Sequence, residues 1–135
     1  MLLKALDLDP DNIPSLMQRG LICWQHKDYQ NAVVTFQKVV AIKPEFAHAY
    51  FNLGYLYWET EDYAQAKGMF KRVIELKPDF LDEAFFNLAM IQNKLGEQGQ
   101  CIKNLEQAIA INPDNESARV YLNELKGGTK TSDES

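Results

Sequence analysis

The apolar residues of the chain recur with the period of an α-helix from residue 13 to residue 126, and no segment shows the alternation of a strand. The segment FNLGYLYWETEDYAQA, residues 51–66, places five aromatic rings in sixteen residues. At about 100° per residue, its apolar residues form two stripes on one helix, rotated from each other by roughly 130°. The first stripe consists of Phe51, Tyr55 and Trp58, and the second of Tyr50, Leu53 and Tyr57. We therefore predict that this helix meets two different surfaces.

Proline recurs at a nearly constant spacing, in the segments LDPDN, IKPEF, LKPDF and INPDN. These prolines are Pro10, Pro44, Pro78 and Pro113, at intervals of 34, 34 and 35 residues. A shift of 34 residues also aligns five identical residue types: Trp24 with Trp58, Asp28 with Asp62, Tyr29 with Tyr63, Ala32 with Ala66 and Phe36 with Phe70. Self-similarity at this period predicts tandem copies of one supersecondary unit.

Each repeat is predicted to contain two helices. The first helices are residues 13–26, 47–60 and 82–95, and the second helices are residues 29–42, 63–76 and 99–111. Asp28 and Asp62 lie where a side-chain acceptor would cap a second helix, and each recurrent proline follows a helix end. Lys43 lies in the last turn, where its positive charge interacts favourably with the negative end of the helix dipole. Its charge therefore needs no ligand to explain it. The predicted fold class is all-α.

The pattern resembles the tetratricopeptide repeat, whose signature is an aromatic residue, Leu-Gly, Tyr, Ala, Phe and Pro over 34 residues. The second repeat carries this signature as Tyr50, Leu53, Gly54, Tyr57, Ala66, Phe70 and Pro78. The first repeat keeps Gly20, Ala32, Phe36 and Pro44, and the third keeps Leu88 and Pro113. The resemblance implies a right-handed α-solenoid of antiparallel helix pairs. In such a pair the stripe of Tyr50, Leu53 and Tyr57 packs against the partner helix, and Gly54 and Ala66 allow the close approach of the two helices.

The predicted organisation begins and ends with partial units. The segments are residues 1–12 as the second helix of an incomplete repeat, 13–46 as repeat 1, 47–81 as repeat 2 with a one-residue loop insertion, 82–115 as repeat 3, 116–127 as a C-terminal capping helix and 128–135 as a disordered tail. A terminal helix without its partner leaves an apolar face open. We expect the N-terminal end to fray or to self-associate. The partial repeat there is expected either because the chain is a segment of a longer repeat protein or because its first repeat is naturally shortened.

The resemblance implies that the first helices line a concave groove, with the stripe of Phe51, Tyr55 and Trp58 facing it. The equivalent stripes are Met17, Leu21 and Trp24 in repeat 1, and Phe86, Met90 and Asn93 in repeat 3. Beside the stripes are three amides, Gln18, Asn52 and Asn87, which could pair with the backbone of an extended peptide or serve helix packing. The predicted groove residues are Met17, Gln18, Leu21, Trp24, His48, Phe51, Asn52, Tyr55, Trp58, Phe86, Asn87 and Met90.

Composition and charge exclude several classes of function. The net charge is −5 and the lysines and arginines are scattered, which argues against a nucleic-acid partner. No apolar run is long enough to span a membrane. Cys23 and His26 are one turn apart, but no third or fourth metal ligand accompanies them, so we expect no metal, no cofactor and no catalytic site. Two thiols too far apart for a disulfide, Cys23 and Cys101, favour a reducing, cytoplasmic compartment.

These observations predict a protein-interaction scaffold that binds a peptide or helix segment of a partner in the groove. Two alternatives stay open: a docking or regulatory part of a larger enzyme, and a self-assembly module. Relatives that hold acidic C-termini place Lys and Arg along the groove. A carboxylate clamp of that kind is disfavoured because the corresponding positions are apolar, namely Met17, Leu21, Phe51, Tyr55, Phe86 and Met90.

Overall fold

A computed structural model describes residues 12–134 of the chain. Seven helices and no strand are found in this range. They are α1 (Ile13–Gln25), α2 (Tyr29–Ile42), α3 (Ala47–Glu59), α4 (Tyr63–Leu76), α5 (Leu81–Lys94), α6 (Gln98–Ile111) and α7 (Glu116–Glu134). The all-α fold class is confirmed, and α1 to α6 match the six predicted helices to within one residue at each end. The predicted partial repeat before Asn12 lies outside the described residues.

Polar side chains cap the helix starts at the predicted positions. The Asn31 backbone N–H donates to Asp28 Oδ1 at 3.4 Å, and the Gln65 backbone N–H donates to Asp62 Oδ1 at the same distance. Asn12 caps α1 in the same way, accepting from the Ser15 N–H at 2.9 Å. Each cap satisfies a backbone donor that the helix itself leaves unpaired.

A left-handed residue closes the turn inside each helix pair. Lys27, Glu61 and Gly96 have φ values of 61°, 62° and 80°. The residue that follows each of them donates its N–H to a carbonyl five residues earlier: Asp28 to Cys23, Asp62 to Tyr57 and Glu97 to Gln92, each at 2.8 Å. This 6→1 hydrogen bond ends the first helix and reverses the chain. Only the third turn uses glycine, the residue that adopts this conformation without steric cost.

The described chain divides into two compact units at Arg72–Val73, inside α4. We call them unit 1 and unit 2. In unit 1, α2 contributes Ala32, Phe36 and Val39 to the core, which packs against Leu16 of α1 and against α3. In unit 2, one cluster joins α5, α6 and α7, with its buried members being Ala89, Cys101, Leu105, Ala108 and Ala118. Each unit therefore has its own apolar core.

A glycine in the first helix of each of the first two repeats lies against a phenylalanine ring of the second helix. A Cβ atom built on Gly54 would lie 2.6 Å from Cζ of Phe70, and one built on Gly20 would lie 2.6 Å from Cζ of Phe36. Carbon atoms in contact are about 3.5–4.0 Å apart, so no side chain fits at either glycine. The close approach predicted at Gly54 is thus made to an aromatic ring, while Ala66 is fully buried nearby on α4.

The second stripe of α3 meets two helices rather than one. The sequence assigned Tyr50, Leu53 and Tyr57 to the partner helix of the same repeat, but Leu53 packs with residues of α2. The Tyr57 hydroxyl accepts a hydrogen bond from Gln37 of α2 at 3.1 Å. Tyr50 faces α4, with the Arg72 guanidinium 5.7 Å from its ring centroid. Residues of one stripe thus contact both neighbouring helices, so α3 packs between α2 and α4.

Helix α7 is longer than the sequence predicted. It continues to Glu134, through the segment that was expected to be a disordered tail. Asn115 caps its start by accepting the Ala118 N–H at 3.0 Å. No proline follows Lys126, and each of the two glycines costs a helix only about 1 kcal/mol, so nothing in this segment forbids its continuation.

A buried carboxylate ties the start of α5 to the α6–α7 connection. Asp82 is 9% exposed, and its Oδ2 accepts from Nδ2 of Asn112 at 3.0 Å and from Nδ2 of Asn115 at 2.8 Å. Asn112 directly follows α6, and Asn115 directly precedes α7. One acceptor therefore holds three helix ends of unit 2 together.

Asp82→Ala is expected to lower the free energy of unfolding by about 1–3 kcal/mol, because both amides lose a partly buried, charge-assisted acceptor. Urea denaturation followed by circular dichroism measures the change. Glu83→Ala is the control, since Glu83 is exposed in the same helical turn and should change stability by less than about 0.5 kcal/mol. Equal losses for the two variants would contradict a structural role for the Asp82 hydrogen bonds.

Candidate functional site

An apolar cleft of about 640 Å³ opens in unit 1 between α1 and α3, the two first helices. Its lining residues are Ile13, Pro14, Met17, Leu21, Lys43, Phe46, His48 and Asn52. We call this the unit 1 cleft. Four of the predicted groove residues, Met17, Leu21, His48 and Asn52, come together here. A cleft of this size and lining can hold one or two apolar side chains of a ligand.

The connection between α2 and α3 supplies a cation to this cleft that the sequence did not place there. Lys43 Nζ lies 5.6 Å from the ring centroid of Phe46, and the Phe46 ring lies 6.1 Å from that of His48. The sequence explained Lys43 by the helix dipole alone. Its position beside an aromatic ring at the cleft also allows it to meet a negatively charged group of a ligand.

The predicted groove aromatics of unit 1 gather around Phe70, which is 1% exposed. The Phe51 and Tyr55 ring centroids lie 5.7 and 5.8 Å from that of Phe70 and 5.1 Å from each other, all in edge-to-face geometry. Trp24 lies 6.3 Å from Tyr55 and donates its indole N–H to Glu59. Tyr55 is the most accessible ring of this group, at 37% exposure. The stripe thus partly covers the core and partly remains accessible.

Trp58 continues the stripe but turns toward the second helix of its own repeat. Its ring centroid lies 5.4 Å from that of Tyr63 at the start of α4, in edge-to-face geometry. The ring is half-buried. Trp58 therefore has an internal packing role in addition to any contact with a ligand.

A second apolar cleft, of about 550 Å³, lies in unit 2 between α5 and α7. Its lining residues are Phe86, Met90, Glu116, Ser117, Val120, Tyr121 and Glu124. We call this the unit 2 cleft. The predicted groove residues Phe86 and Met90 lie here, but the α7 side was missed because α7 was predicted only to cap the array. The helical spacing of Glu116, Val120 and Glu124, four residues apart, is the signal that could have identified it.

The Tyr121 hydroxyl joins the two sides of the unit 2 cleft. It accepts a hydrogen bond from Nδ2 of Asn93 at 2.5 Å, and its ring lies 6.4 Å from that of Phe86. Burial raises the pKa of the Tyr121 phenol, with smaller contributions in the same direction from Cys101 and Glu124. The phenol is therefore neutral at physiological pH.

The three predicted amides differ in accessibility. Gln18 is exposed on α1, and Asn52 is half-buried at the unit 1 cleft. Asn87 on α5 is only 9% exposed. A side chain so enclosed leaves little room for the backbone of a ligand, so the packing alternative suits Asn87 and the ligand alternative suits Gln18 and Asn52.

Among residues 12–134, no three His, Cys, Asp or Glu side chains are grouped as metal ligands would be, and no helix has the length and apolar character of a membrane span. Both cysteines are free thiols, and burial raises the pKa of the Cys101 thiol. Cys101 lies in the apolar core of unit 2, consistent with a packing role.

Solved structures with this fold include several repeat proteins. The crystal structure of MamA is similar with a TM-score of 0.85 and 24% identity, over 98% of this chain and 77% of that chain. YrrB, described as a TPR protein with an unusual peptide-binding site, is similar with a TM-score of 0.81 and 20% identity, over 98% of this chain and 68% of that chain. The first TPR of Spaghetti (RPAP3), solved bound to the HSP90 peptide SRMEEVD, is similar with a TM-score of 0.79 and 16% identity, over 90% of this chain and 96% of that chain. At these identities the likeness concerns the fold. No curated protein matches the sequence.

Two family models described as the tetratricopeptide repeat match the sequence, one over residues 24–91 and the other over residues 82–115. Together they span the helices from the end of α1 to the end of α6. The helix pairs occur where the signature predicted them. The chain belongs to the tetratricopeptide repeat family.

Proposed function

We propose that the chain is a protein-interaction scaffold that binds a peptide or short helix of a partner protein in apolar clefts lined by its first helices. The observation that carries the proposal is the unit 1 cleft, in which Met17, Leu21, His48 and Asn52 lie together. Leu21 is 41% exposed, although it belongs to an apolar stripe. An accessible apolar surface with a few polar groups is typical of a ligand site. The peptide-binding relatives YrrB and RPAP3 support the same class of function.

The polar groups of the unit 1 cleft suit a peptide backbone or a single carboxylate. Asn52 offers a donor and an acceptor, and Lys43 offers a positive charge. Met17 and Leu21 keep the remaining positions apolar, so the cleft lacks the row of cations that would clamp a peptide carrying several acids. The favoured ligand is an apolar side chain next to an extended backbone.

We also propose that the chain is not an enzyme, that it acts in the cytoplasm and that it does not bind nucleic acid. The acidic net charge of −5 disfavours phosphate backbones, and the free thiols suit a reducing compartment. A docking part of a larger enzyme and a self-assembly module are the alternatives. Sedimentation over a series of concentrations separates self-assembly from peptide binding, because only self-assembly raises the mass of the sedimenting particle when no peptide is present.

Leu21→Glu is expected to weaken peptide binding at least about tenfold, because it places an unpaired charge against an apolar ligand group. Peptides selected from a random displayed library on the wild-type chain serve as ligands, and calorimetry gives their dissociation constants. The control is Val34→Glu, since Val34 is 57% exposed on α2 and lines neither cleft. Circular dichroism verifies that both variants keep the wild-type helix content. Unchanged binding by Leu21→Glu, or an equal loss with Val34→Glu, would refute the unit 1 cleft as the site.

A further inference from the structure

The unit 2 cleft has an apolar base and accessible side chains on α7. Phe86 and Met90 of α5 are half-buried, and Val120 of α7 is 49% exposed. A large aliphatic residue with half of its surface in water, next to aromatic and methionine side chains, resembles the centre of a protein interface more than a solvated helix face. The hydrogen bond between Asn93 and Tyr121 links both sides of the cleft. A preformed cleft loses little conformational entropy when a ligand binds.

Charge distinguishes the two clefts. Glu116 and Glu124 line the unit 2 cleft, and no lysine, arginine or histidine is among its lining residues. Both carboxylates are exposed, and neither forms an ion pair with the side chains that the structure describes. At four-residue spacing they lie on the same face of α7 as Val120, one on each side of it. The unit 1 cleft has the opposite character, with Lys43 and His48 and no carboxylate.

We propose that the unit 2 cleft binds a positively charged apolar segment of a protein partner, whose apolar side chain contacts Val120, Met90 and Phe86 while its lysine or arginine residues pair with Glu116 and Glu124. This inference rests on the proposed function and adds the chemistry of the ligand. Opposite charges around an apolar contact favour the correct partner and speed its association. The unit 2 cleft therefore selects a basic segment, which the unit 1 cleft with its Lys43 does not favour.

Two synthetic peptides test the charge preference. They share the same leucine and phenylalanine positions, and one carries lysine where the other carries glutamate. Each is titrated into the isotope-labelled full chain and followed by NMR at the signals of Met90, Val120 and Tyr121. The lysine peptide is expected to bind at least about tenfold more tightly than the glutamate peptide and to weaken as salt is added, since about 1 M salt shortens the screening length to 3 Å.

A double variant locates the effect. Glu116→Gln with Glu124→Gln keeps the shape of both side chains and removes their charges. The dissociation constants of the two peptides should then lie within about threefold of each other. The matched control is Glu61→Gln with Glu83→Gln, which removes the same total charge from exposed positions outside the cleft and should preserve most of the preference. Methionine and valine methyl signals of each variant confirm that the core is unchanged.

Several outcomes would overturn the inference. They are equal affinity for the two peptides, no binding of the lysine peptide, or an equal effect of both double variants. Shifts at Met17 and Asn52 in place of Val120 and Tyr121 would also refute it, while leaving the proposed function of the unit 1 cleft intact. Concentration-dependent shifts at Val120 without any peptide would assign the cleft to a second copy of the chain instead.

Discussion

Phe70→Ala is expected to lower the free energy of unfolding by about 3–5 kcal/mol, the range for removing a buried phenylalanine ring. The ring is 1% exposed, lies against the backbone of Gly54 and supports Phe51 and Tyr55 edge-on. Its loss leaves a cavity that two helices cannot close without moving. Urea denaturation measures the stability, and the aromatic NMR signals of Phe51 and Tyr55 report whether these side chains lose their fixed orientation.

The control for this variant is Tyr55→Ala. Tyr55 belongs to the same ring group but is 37% exposed, so its removal should cost about 1 kcal/mol. If Tyr55→Ala destabilised the chain as much as Phe70→Ala, the ring group would have no buried centre at Phe70. A loss of peptide binding with only this small loss of stability in Tyr55→Ala would support the accessible role of that ring.

Gly54→Leu is expected to destabilise the chain by about 1–3 kcal/mol or more through overpacking. Even the first carbon of the new side chain would lie 2.6 Å from Cζ and 2.7 Å from Cε2 of Phe70. The ring is enclosed on its other sides, so the helices α3 and α4 must separate. Thermal and urea denaturation give the change, and Gly20→Leu should behave similarly because Phe36 lies equally close to Gly20.

A glycine in open space provides the comparison. Apart from its chain neighbours and the backbone of its own helix, no described atom would lie within 4 Å of a Cβ at Gly68, which is inside α4. Gly68→Ala should therefore stabilise the chain by about 0.5–1 kcal/mol, since alanine favours a helix interior. Equal destabilisation by Gly54→Leu and Gly68→Ala would show that the contact with Phe70 does not limit the size of the side chain at position 54.

The helices could be predicted from the sequence because periodicity, caps and prolines act locally. Asp28 and Asp62 mark helix starts whatever the tertiary packing is, and the observed caps confirm them. The left-handed turns could not be predicted in the first two repeats. Lys27 and Glu61 carry no preference for positive φ, and the packing of the two flanking helices imposes that conformation.

Only some of the residues that line the two clefts could be predicted from the sequence, for a similar reason. Met17, Leu21, Phe86 and Met90 follow from the helical phase of the first helices. Lys43 and Phe46 reach the unit 1 cleft from a connection, where no periodicity predicts the direction of a side chain. The side of the unit 2 cleft on α7 depends on how the last helix docks, which the repeat signature does not describe.

The contact between Gly54 and Phe70 has a counterpart of different composition in the third repeat. A shift of 35 residues takes Gly54 to Ala89 and Phe70 to Leu105, and both of these are fully buried in one cluster. A larger residue on the first helix is thus accompanied by a smaller one on the second. The two positions share one volume, so they can be exchanged between repeats only together. A redesign that took the most common residue at each position independently could combine Ala with Phe, and it would introduce steric overlap into a repeat whose individual residues all look acceptable.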